Sequence, residues 1–123
     1  MLDASALLAY LFRETGSALV GTVIEDSCMS AVNLSEVLGR FVRDGHSVIE
    51  VQERLAESPI EFVPFLREDA ARAASLIPFT REHGLSFADR ACIALAMARR
   101  ERVFTADRVW GALDLKVDVA VIR

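Results

Sequence analysis

The sequence contains no long apolar run, and it has very little cysteine, lysine or histidine. Its longest uninterrupted apolar stretch is Ala91–Ala98, far short of the roughly 20 residues that span a bilayer. No basic segment precedes an apolar stretch at the N-terminus, where Asp3 follows Met1 and Leu2 directly, so we expect no secretory signal peptide. These absences favour a cytoplasmic protein that does not enter the membrane.

Cysteine and histidine are too few and too widely spaced for a zinc site. Cys28 and Cys92 lie far apart in apolar surroundings, and neither a C-x-x-C nor an H-E-x-x-H pattern is present. We expect both cysteines to be buried free thiols, which is the common fate of such residues. His46 and His83 each adjoin a glycine that ends a helix, and we interpret both as exposed residues.

Positive charge comes almost entirely from arginine and is outnumbered by negative charge, with 14 Lys and Arg against 18 Asp and Glu. Lys116 is the only lysine, and the formal net charge of the chain is −4. The protein therefore lacks the global basic field by which many proteins bind nucleic acid through phosphate neutralisation alone. Chemistry on a phosphate group would need cations that the side chains do not supply.

The length and patterning of the chain indicate one α/β domain. With 123 residues, of which 53% are hydrophobic and 26% charged, we expect residues 1–123 to form a single domain. Short apolar runs alternate with helical patterns, which predicts a parallel sheet of about four to five strands with helices on both faces. The predicted strands are a stub at Met1–Leu2, then Ser27–Ser30, Ile60–Val63, Val103–Thr105 and Val117–Ile122.

Capping residues and proline indicate the helix boundaries. Ser47 and Glu50, and likewise Ser86 and Asp89, have the spacing of a capping box at a helix N-terminus. Pro78 is expected to break its helix, because proline lacks the N–H group and clashes with the preceding turn. The predicted helices are Ala4–Phe12, Gly16–Ile24, Leu34–Arg43, Val48–Ala56, Arg67–Ile77 and Ser86–Arg100, with a short helix or turn at Asp107–Leu113.

Four acidic residues are expected at the edge of this sheet where ligands bind, beyond the carboxyl ends of the strands. Asp3 follows the first strand, and Asp107 follows Val103–Thr105. Glu36 lies in the first turns of the helix that the second strand feeds, and Asp89 lies in the first turn of the most apolar helix. Taken one at a time, each acid is explained by helix capping or by a local ion pair.

Placed together, four carboxylates repel one another and raise one another's pKa values. A fold gains nothing from that arrangement unless a cation lies among them, and oxygen ligands without histidine or cysteine fit Mg²⁺ or Mn²⁺. Such ions suit phosphoryl chemistry, because they polarise the phosphate and lower the pKa of water. The acids therefore predict a divalent-metal site that acts on a phosphate ester.

Four segments occur along the chain in the order MLDASALLAYLFRE, AVNLSEVLGR, GLSFADRACIALA and VFTADRVW. Together they resemble a PIN domain of the VapC toxin type, over essentially the whole chain. The resemblance implies a PIN-like fold and a metal-dependent ribonuclease whose acidic quartet falls on Asp3, Glu36, Asp89 and Asp107. Ser5 and Thr105 match small hydroxyl positions that flank the quartet, although hydrogen bonding at a helix start and a strand end also explains them.

The same resemblance implies an activity and two protein partners. It implies hydrolysis of an RNA phosphodiester with one or two Mg²⁺ ions held by Asp3, Asp89 and Asp107, while Glu36 binds the second ion or orients water. It also implies a homodimer silenced by a small antitoxin, whose tail lies in a groove near the active site. One set of apolar residues either lines that groove or packs in the core: Leu7, Leu8, Leu11, Phe12, Val37, Leu38 and Phe41.

Other functions stay open at this point. A haloacid-dehalogenase-like phosphatase needs a second Asp two residues after the first, and Ser5 occupies that position. A phospho-receiver domain needs an acidic pair before its acceptor, and Leu2 precedes Asp3 instead. The remaining alternative is a catalytically inactive PIN-like binding module, against which the complete set of four acids argues.

Overall fold

Four short strands form the sheet of the computed structural model, which describes residues 1–123. The strands are β1 (Cys28–Ser30), β2 (Glu61–Val63), β3 (Val103–Thr105) and β4 (Val119–Val121). The α-helices are α1 (Ala4–Leu11), α2 (Ser17–Val23), α3 (Ala31–Arg43), α4 (Val48–Ala56), α5 (Arg67–Ser75), α6 (Ile77–Thr80) and α7 (Phe87–Arg99). Short 3₁₀ helices lie at Ile24–Asp26, Arg81–His83 and Arg108–Ala112. None of the helices combines the length and the apolarity that a membrane crossing requires.

Leu2 joins two parallel strand pairs into one sheet. β1 pairs with β2, and β3 pairs with β4, both in parallel. The Leu2 amide donates to the Cys28 carbonyl over 2.8 Å, and Leu2 forms a parallel bridge with Phe104 on its other side. The order across the sheet is therefore β2, β1, Leu2, β3, β4. This confirms the predicted parallel α/β sheet, with a stub in place of its first strand.

Helices cover both faces of the sheet, as predicted. Successive residues of a strand point to opposite faces, and Cys28 and Met29 accordingly belong to two different hydrophobic clusters. The cluster of Cys28 includes Cys92 of α7, whereas the cluster of Met29 includes Leu7 of α1 and Val37 of α3. Both cysteines are buried and free, which was also expected.

Two of the three predicted helix-boundary features are present. The Ser86 amide donates to Asp89 Oδ2 over 2.6 Å, and the Asp89 amide donates to Ser86 Oγ over 3.2 Å, which completes a capping box. α5 stops before Pro78, which lies in the first turn of α6, where its missing N–H group is not needed. The capping box predicted at Ser47 and Glu50 is wrong, because Ser47 makes no side-chain hydrogen bond. Both residues lie at the surface, where solvent can satisfy the free amides of a first turn.

The apolar residues that were expected either to line a groove or to pack in the core divide between the two. Leu7 and Val37 are 1% and 0% exposed, so the groove interpretation is wrong for them, since their neighbours in the core enclose them. Leu11 and Phe12, at the end of α1, are 37% and 38% exposed. Phe12 stacks on Phe41 of α3 at a ring-centroid distance of 5.3 Å. The open apolar surface therefore lies where α1 ends beside α3.

Candidate active site

Asp3 lies at the carboxyl end of the Leu2 stub, caps the start of α1 and is only 4% exposed. Its Oδ2 atom accepts hydrogen bonds from Ser5 Oγ over 2.5 Å and from Thr105 Oγ1 over 3.0 Å. Burial raises the pKa of Asp3, and the charge of Asp89 raises it further, while the bonds from Ser5 and Thr105 oppose the shift. The fold thus buries a carboxylate whose charge is unfavourable there without a cation.

The hydroxyl groups of Ser5 and Thr105 attach Asp3 to the end of β3. Ser5 Oγ also accepts a hydrogen bond from the Ala106 amide over 2.9 Å. Thr105 Oγ1 likewise accepts one from the Asp107 amide over 3.1 Å. The two residues that flank the quartet in the sequence therefore both contact its most buried member.

The side-chain amide of Asn33 links Glu36 to Asp3 through hydrogen bonds. Asn33 is fully buried in the first turn of α3, and its Nδ2 atom donates to Asp3 Oδ1 over 3.4 Å and to Glu36 Oε2 over 3.2 Å. The third acceptor around Nδ2 is the Ala88 carbonyl of α7, at 3.2 Å. Burial raises the pKa of Glu36, and the charges of Asp3 and Asp89 add to this shift. Three helices therefore meet at one amide.

Asn33 is absent from the sequence-based predictions, although its position carries a signal. Asn33 and Glu36 are three residues apart in a helical segment, so they share one helix face. Val37 is also fully buried, so this face of α3 points into the protein. A buried amide needs hydrogen-bond partners, and a nearby acid of the quartet is the natural partner.

Asp89 lies in the first turn of α7 and is half-buried. Its Oδ2 atom accepts the Ser86 amide in the capping box, while Oδ1 has no hydrogen bond within the protein. The charge of Asp89 contributes to the raised pKa values of both Asp3 and Glu36. Asp89 therefore serves as a helix cap and as a member of the acidic cluster at the same time.

Asp107 stands apart from the other three acids. It is exposed, and its Oδ1 atom accepts the Val109 amide over 2.9 Å as the cap of the last 3₁₀ helix. Its backbone reaches the cluster through Thr105, but its side chain has no hydrogen bond to another acid. The structure thus brings together Asp3, Glu36 and Asp89, whereas the Asp107 side chain caps the last 3₁₀ helix and keeps one carboxylate oxygen free of hydrogen bonds.

The donor atoms of these acids fit a hard divalent cation, although they do not form a ready-made cage. No group of three or more histidine, cysteine, aspartate or glutamate side chains is arranged to hold a metal ion. None of the salt bridges, however, involves any of the four acids, so no arginine or lysine neutralises them. Mg²⁺ retains several water ligands and needs only one or two carboxylates, which suits an open arrangement.

The comparisons with known proteins agree with this fold. A family model described as PIN domain matches residues 1–115. A toxin–antitoxin complex from Klebsiella pneumoniae is similar in structure, with a TM-score of 0.70 and 17% identity over 99% of this chain and 96% of the other. VapBC2 from Rickettsia felis, bound to a DNA fragment from its promoter, has a TM-score of 0.70 and 15% identity over 98% of this chain and 96% of the other.

FitAcB from Neisseria gonorrhoeae is similar as well, with a TM-score of 0.70 and 22% identity over 96% of this chain and 94% of the other. At these identities the likeness concerns the fold. No curated protein matches the chain significantly in sequence. The family match confirms the resemblance carried by the four sequence segments.

Proposed function

This chain belongs to the PIN domain family, and we propose that it is a Mg²⁺- or Mn²⁺-dependent endoribonuclease, the toxin of a type II toxin–antitoxin pair, with residues 1–123 as a single PIN domain. The observation that carries the proposal is the meeting of Asp3, Glu36 and Asp89 with no cationic side chain among them. Membership of a family of nucleases and the fold shared with toxin–antitoxin proteins support it. Absence of a membrane-crossing helix agrees with a place in the cytoplasm, which we propose as well.

In this proposal the acids divide two tasks. Asp3, Asp89 and Asp107 would hold the first cation, and Glu36 would hold a second cation or orient water. A bound cation would polarise the scissile phosphate and favour deprotonation of the attacking water. Because Ser5 and Thr105 hold Asp3 Oδ2 from two sides, the carboxylate keeps one orientation before the substrate arrives.

The free oxygens of the capping residues make this arrangement possible. Asp89 and Asp107 each use one oxygen as a helix cap and keep the other available. The helix starts that these caps fix also direct their N–H groups towards negative charge.

We propose the surface where α1 ends beside α3 and α4 as the place for the antitoxin. It is a groove of about 390 Å³, lined by Leu11, Phe12, Phe41, His46, Glu50, Val51, Arg54 and Leu55. Arg40 lies over the Phe12 ring at 5.1 Å from its centroid, so a cation already covers part of this surface. Exposed apolar and charged groups on this surface suit an amphipathic segment of a small partner.

The test of the proposed activity is the cleavage of total RNA by the wild type and by Asp3→Asn, each with Mg²⁺ and with EDTA. Asn keeps the shape and the cap of α1 but removes the charge that the cation needs. We expect the wild type to cleave only with Mg²⁺ and Asp3→Asn to remain folded but inactive. Asp69→Asn is a matched control, since Asp69 is 7% exposed and belongs to a capping box outside the cluster.

Two outcomes would contradict the proposed nuclease activity. Equal cleavage by the wild type and Asp3→Asn would show that the acids are not the catalytic groups. Cleavage that survives EDTA would show that no divalent cation takes part.

The second candidate is a PIN-like module that binds a partner without catalysis. The capping roles of Asp89 and Asp107, and the lack of a ready-made metal cage, favour this alternative. Thermal unfolding with Mn²⁺ separates the two. A nuclease gains stability from a cation that binds only the folded state, whereas a pure binding module does not.

A further inference from the structure

We propose that Asn33 is the positioning residue of the acidic cluster of Asp3, Glu36 and Asp89. Its side-chain amide holds the first two carboxylates together and fixes the first turn of α7, which carries the third. The identity of the cluster rests on the proposed function, but the positioning is a property of the metal-free protein and can be tested alone.

The contacts of Asn33 are unlike those of any other residue at the site. Nδ2 lies within 3.4 Å of Asp3 Oδ1, within 3.2 Å of Glu36 Oε2 and within 3.2 Å of the Ala88 carbonyl. These acceptors belong to the starts of three different helices, α1, α3 and α7. Ser5 and Thr105 hold Asp3 alone, so Asn33 is the link between Asp3 and Glu36.

The amide nitrogen must be the atom that faces the cluster. A flipped side chain would direct Oδ1 at two carboxylates and a carbonyl, where it could only repel them. An NH₂ group has two protons, so it cannot give each of the three acceptors around it a full hydrogen bond of its own. The partially positive NH₂ group therefore lies between two carboxylates that have no cationic side chain as a partner.

The opposite end of the same side chain is left unsatisfied. Asn33 Oδ1 is buried and has no hydrogen-bond partner, although buried polar atoms nearly always have one. An asparagine that served only to complete the core would bond through both ends of its amide. The fold tolerates the unpaired oxygen because the NH₂ end joins three elements.

The first measurement is amide hydrogen exchange in the metal-free protein. Asn33→Leu keeps approximately the volume of the side chain and removes its hydrogen bonds. We expect the Asp89 and Arg90 amides at the start of α7 to exchange roughly tenfold faster, the ratio for losing about one buried hydrogen bond. Thr80→Val is the matched control, since Thr80 is equally buried and its hydroxyl bonds only to the Leu76 carbonyl.

The second measurement is the dissociation constant for Mn²⁺, determined by titration calorimetry without RNA. Loss of a residue that orients metal ligands weakens binding about 10- to 100-fold, so we expect a change of that size for Asn33→Leu and none for Thr80→Val. If Asn33 merely fills the core, both substitutions should lower the stability of the protein and leave its Mn²⁺ binding unchanged.

Asn33→Asp keeps the test decisive if Asn33→Leu does not fold. It has the same shape but places a carboxylate against Asp3 and Glu36, so the metal-free protein should be less stable than the wild type. Its carboxylate cannot donate to the Ala88 carbonyl, so the Asp89 and Arg90 amides should again exchange faster than in the wild type. Unchanged exchange rates at these amides would overturn the positioning role.

The two proposals fail in different ways. If the wild type does not bind Mn²⁺, the proposed nuclease function is wrong, and hydrogen exchange in the metal-free variants still decides the role of Asn33. If the wild type binds Mn²⁺ but Asn33→Leu leaves both the α7 exchange rates and the Mn²⁺ dissociation constant unchanged, the positioning role is wrong and the nuclease proposal stands.

Discussion

Gly16 offers a sharp test of the packing between the α1–α2 connection and the end of the sheet. Its φ is +94°, a left-handed conformation that L side chains rarely adopt. A Cβ atom added there would lie 2.6 Å from the Ile122 carbonyl oxygen and 2.7 Å from Ile122 Cγ1. Gly16→Ala therefore brings both backbone strain and a clash with the Ile122 carbonyl oxygen, a backbone atom that cannot rotate away.

Gly45 separates these two costs. Its φ is +90°, nearly the same as that of Gly16, but a Cβ atom there meets nothing within 4 Å. We expect Gly45→Ala to cost about 1 kcal/mol for the left-handed backbone. Gly16→Ala should cost about 1–3 kcal/mol more, which is the usual penalty for forcing atoms into a packed site.

The assay is urea unfolding of the wild type and both variants, followed by circular dichroism, with the slope checked for two-state behaviour. The loss of a conformationally free glycine from the unfolded chain is common to both substitutions, so it cancels in their difference. Equal losses for Gly16→Ala and Gly45→Ala would refute the claim that contact with Ile122 requires glycine at position 16.

Three further predictions concern backbone strain, charge and assembly. Arg100 has a φ of +57° at the end of α7, so Arg100→Gly should raise the free energy of unfolding by about 1 kcal/mol, and a loss in urea unfolding would contradict this. Because the pKa values of Asp3 and Glu36 are raised in the folded state, their contribution to stability increases as the pH is lowered from 7 towards those pKa values. Urea midpoints of the metal-free wild type should show this increase, and Asp3→Asn should show less of it; an equal pH dependence would be the contrary result. The homodimer that the family resemblance implies should sediment as a dimer at micromolar concentration, since Phe79 and Phe87 are 61% and 51% exposed, and a monomer would argue against it.

Most helices could be predicted from the sequence, because residues close to each helix end determine where the helix begins and stops. The bounds of α4, Val48–Ala56, agree with the prediction, and the Ser86–Asp89 capping box forms as expected. α3 begins at Ala31 rather than Leu34, because Ser30 Oγ accepts the Val32 amide and starts the helix earlier. A single capping hydroxyl, four residues before the start of the predicted helix, determines that boundary.

Strand ends were less predictable, because pairing depends on residues that lie far away in the sequence. The last strand was predicted at Val117–Ile122, but the strand is Val119–Val121, in register with Val103–Thr105. The backbone hydrogen bonds between the two strands end at the Asp118 carbonyl and the Ile122 amide, so Val117 continues the apolar pattern without a backbone bond to β3.

The candidate site was likewise predictable only in part. The strand ends and helix starts predict that Asp3, Glu36, Asp89 and Asp107 approach one another, since the carboxyl ends of parallel strands share one edge. Asn33 was missed because it lies one residue before the predicted helix Leu34–Arg43, so its three-residue spacing from Glu36 did not place both on one helix face. The orientation of the Asp107 side chain towards Val109 could not be predicted either, because helix capping and the acidic cluster compete for the same carboxylate.

The most buried acid, Asp3, follows the shortest element of the sheet, the Leu2 stub. Hydrogen bonds from the strands on both sides hold this stub in place. The Leu2 amide is held by the Cys28 carbonyl on one side, and the Asp3 amide donates to the Phe104 carbonyl over 3.0 Å on the other. Thr105, the next residue of β3, then binds the Asp3 side chain. The position of this carboxylate is therefore determined by β3 rather than by the length of its own strand. Substitutions in β3 should alter the geometry of the candidate active site through Thr105.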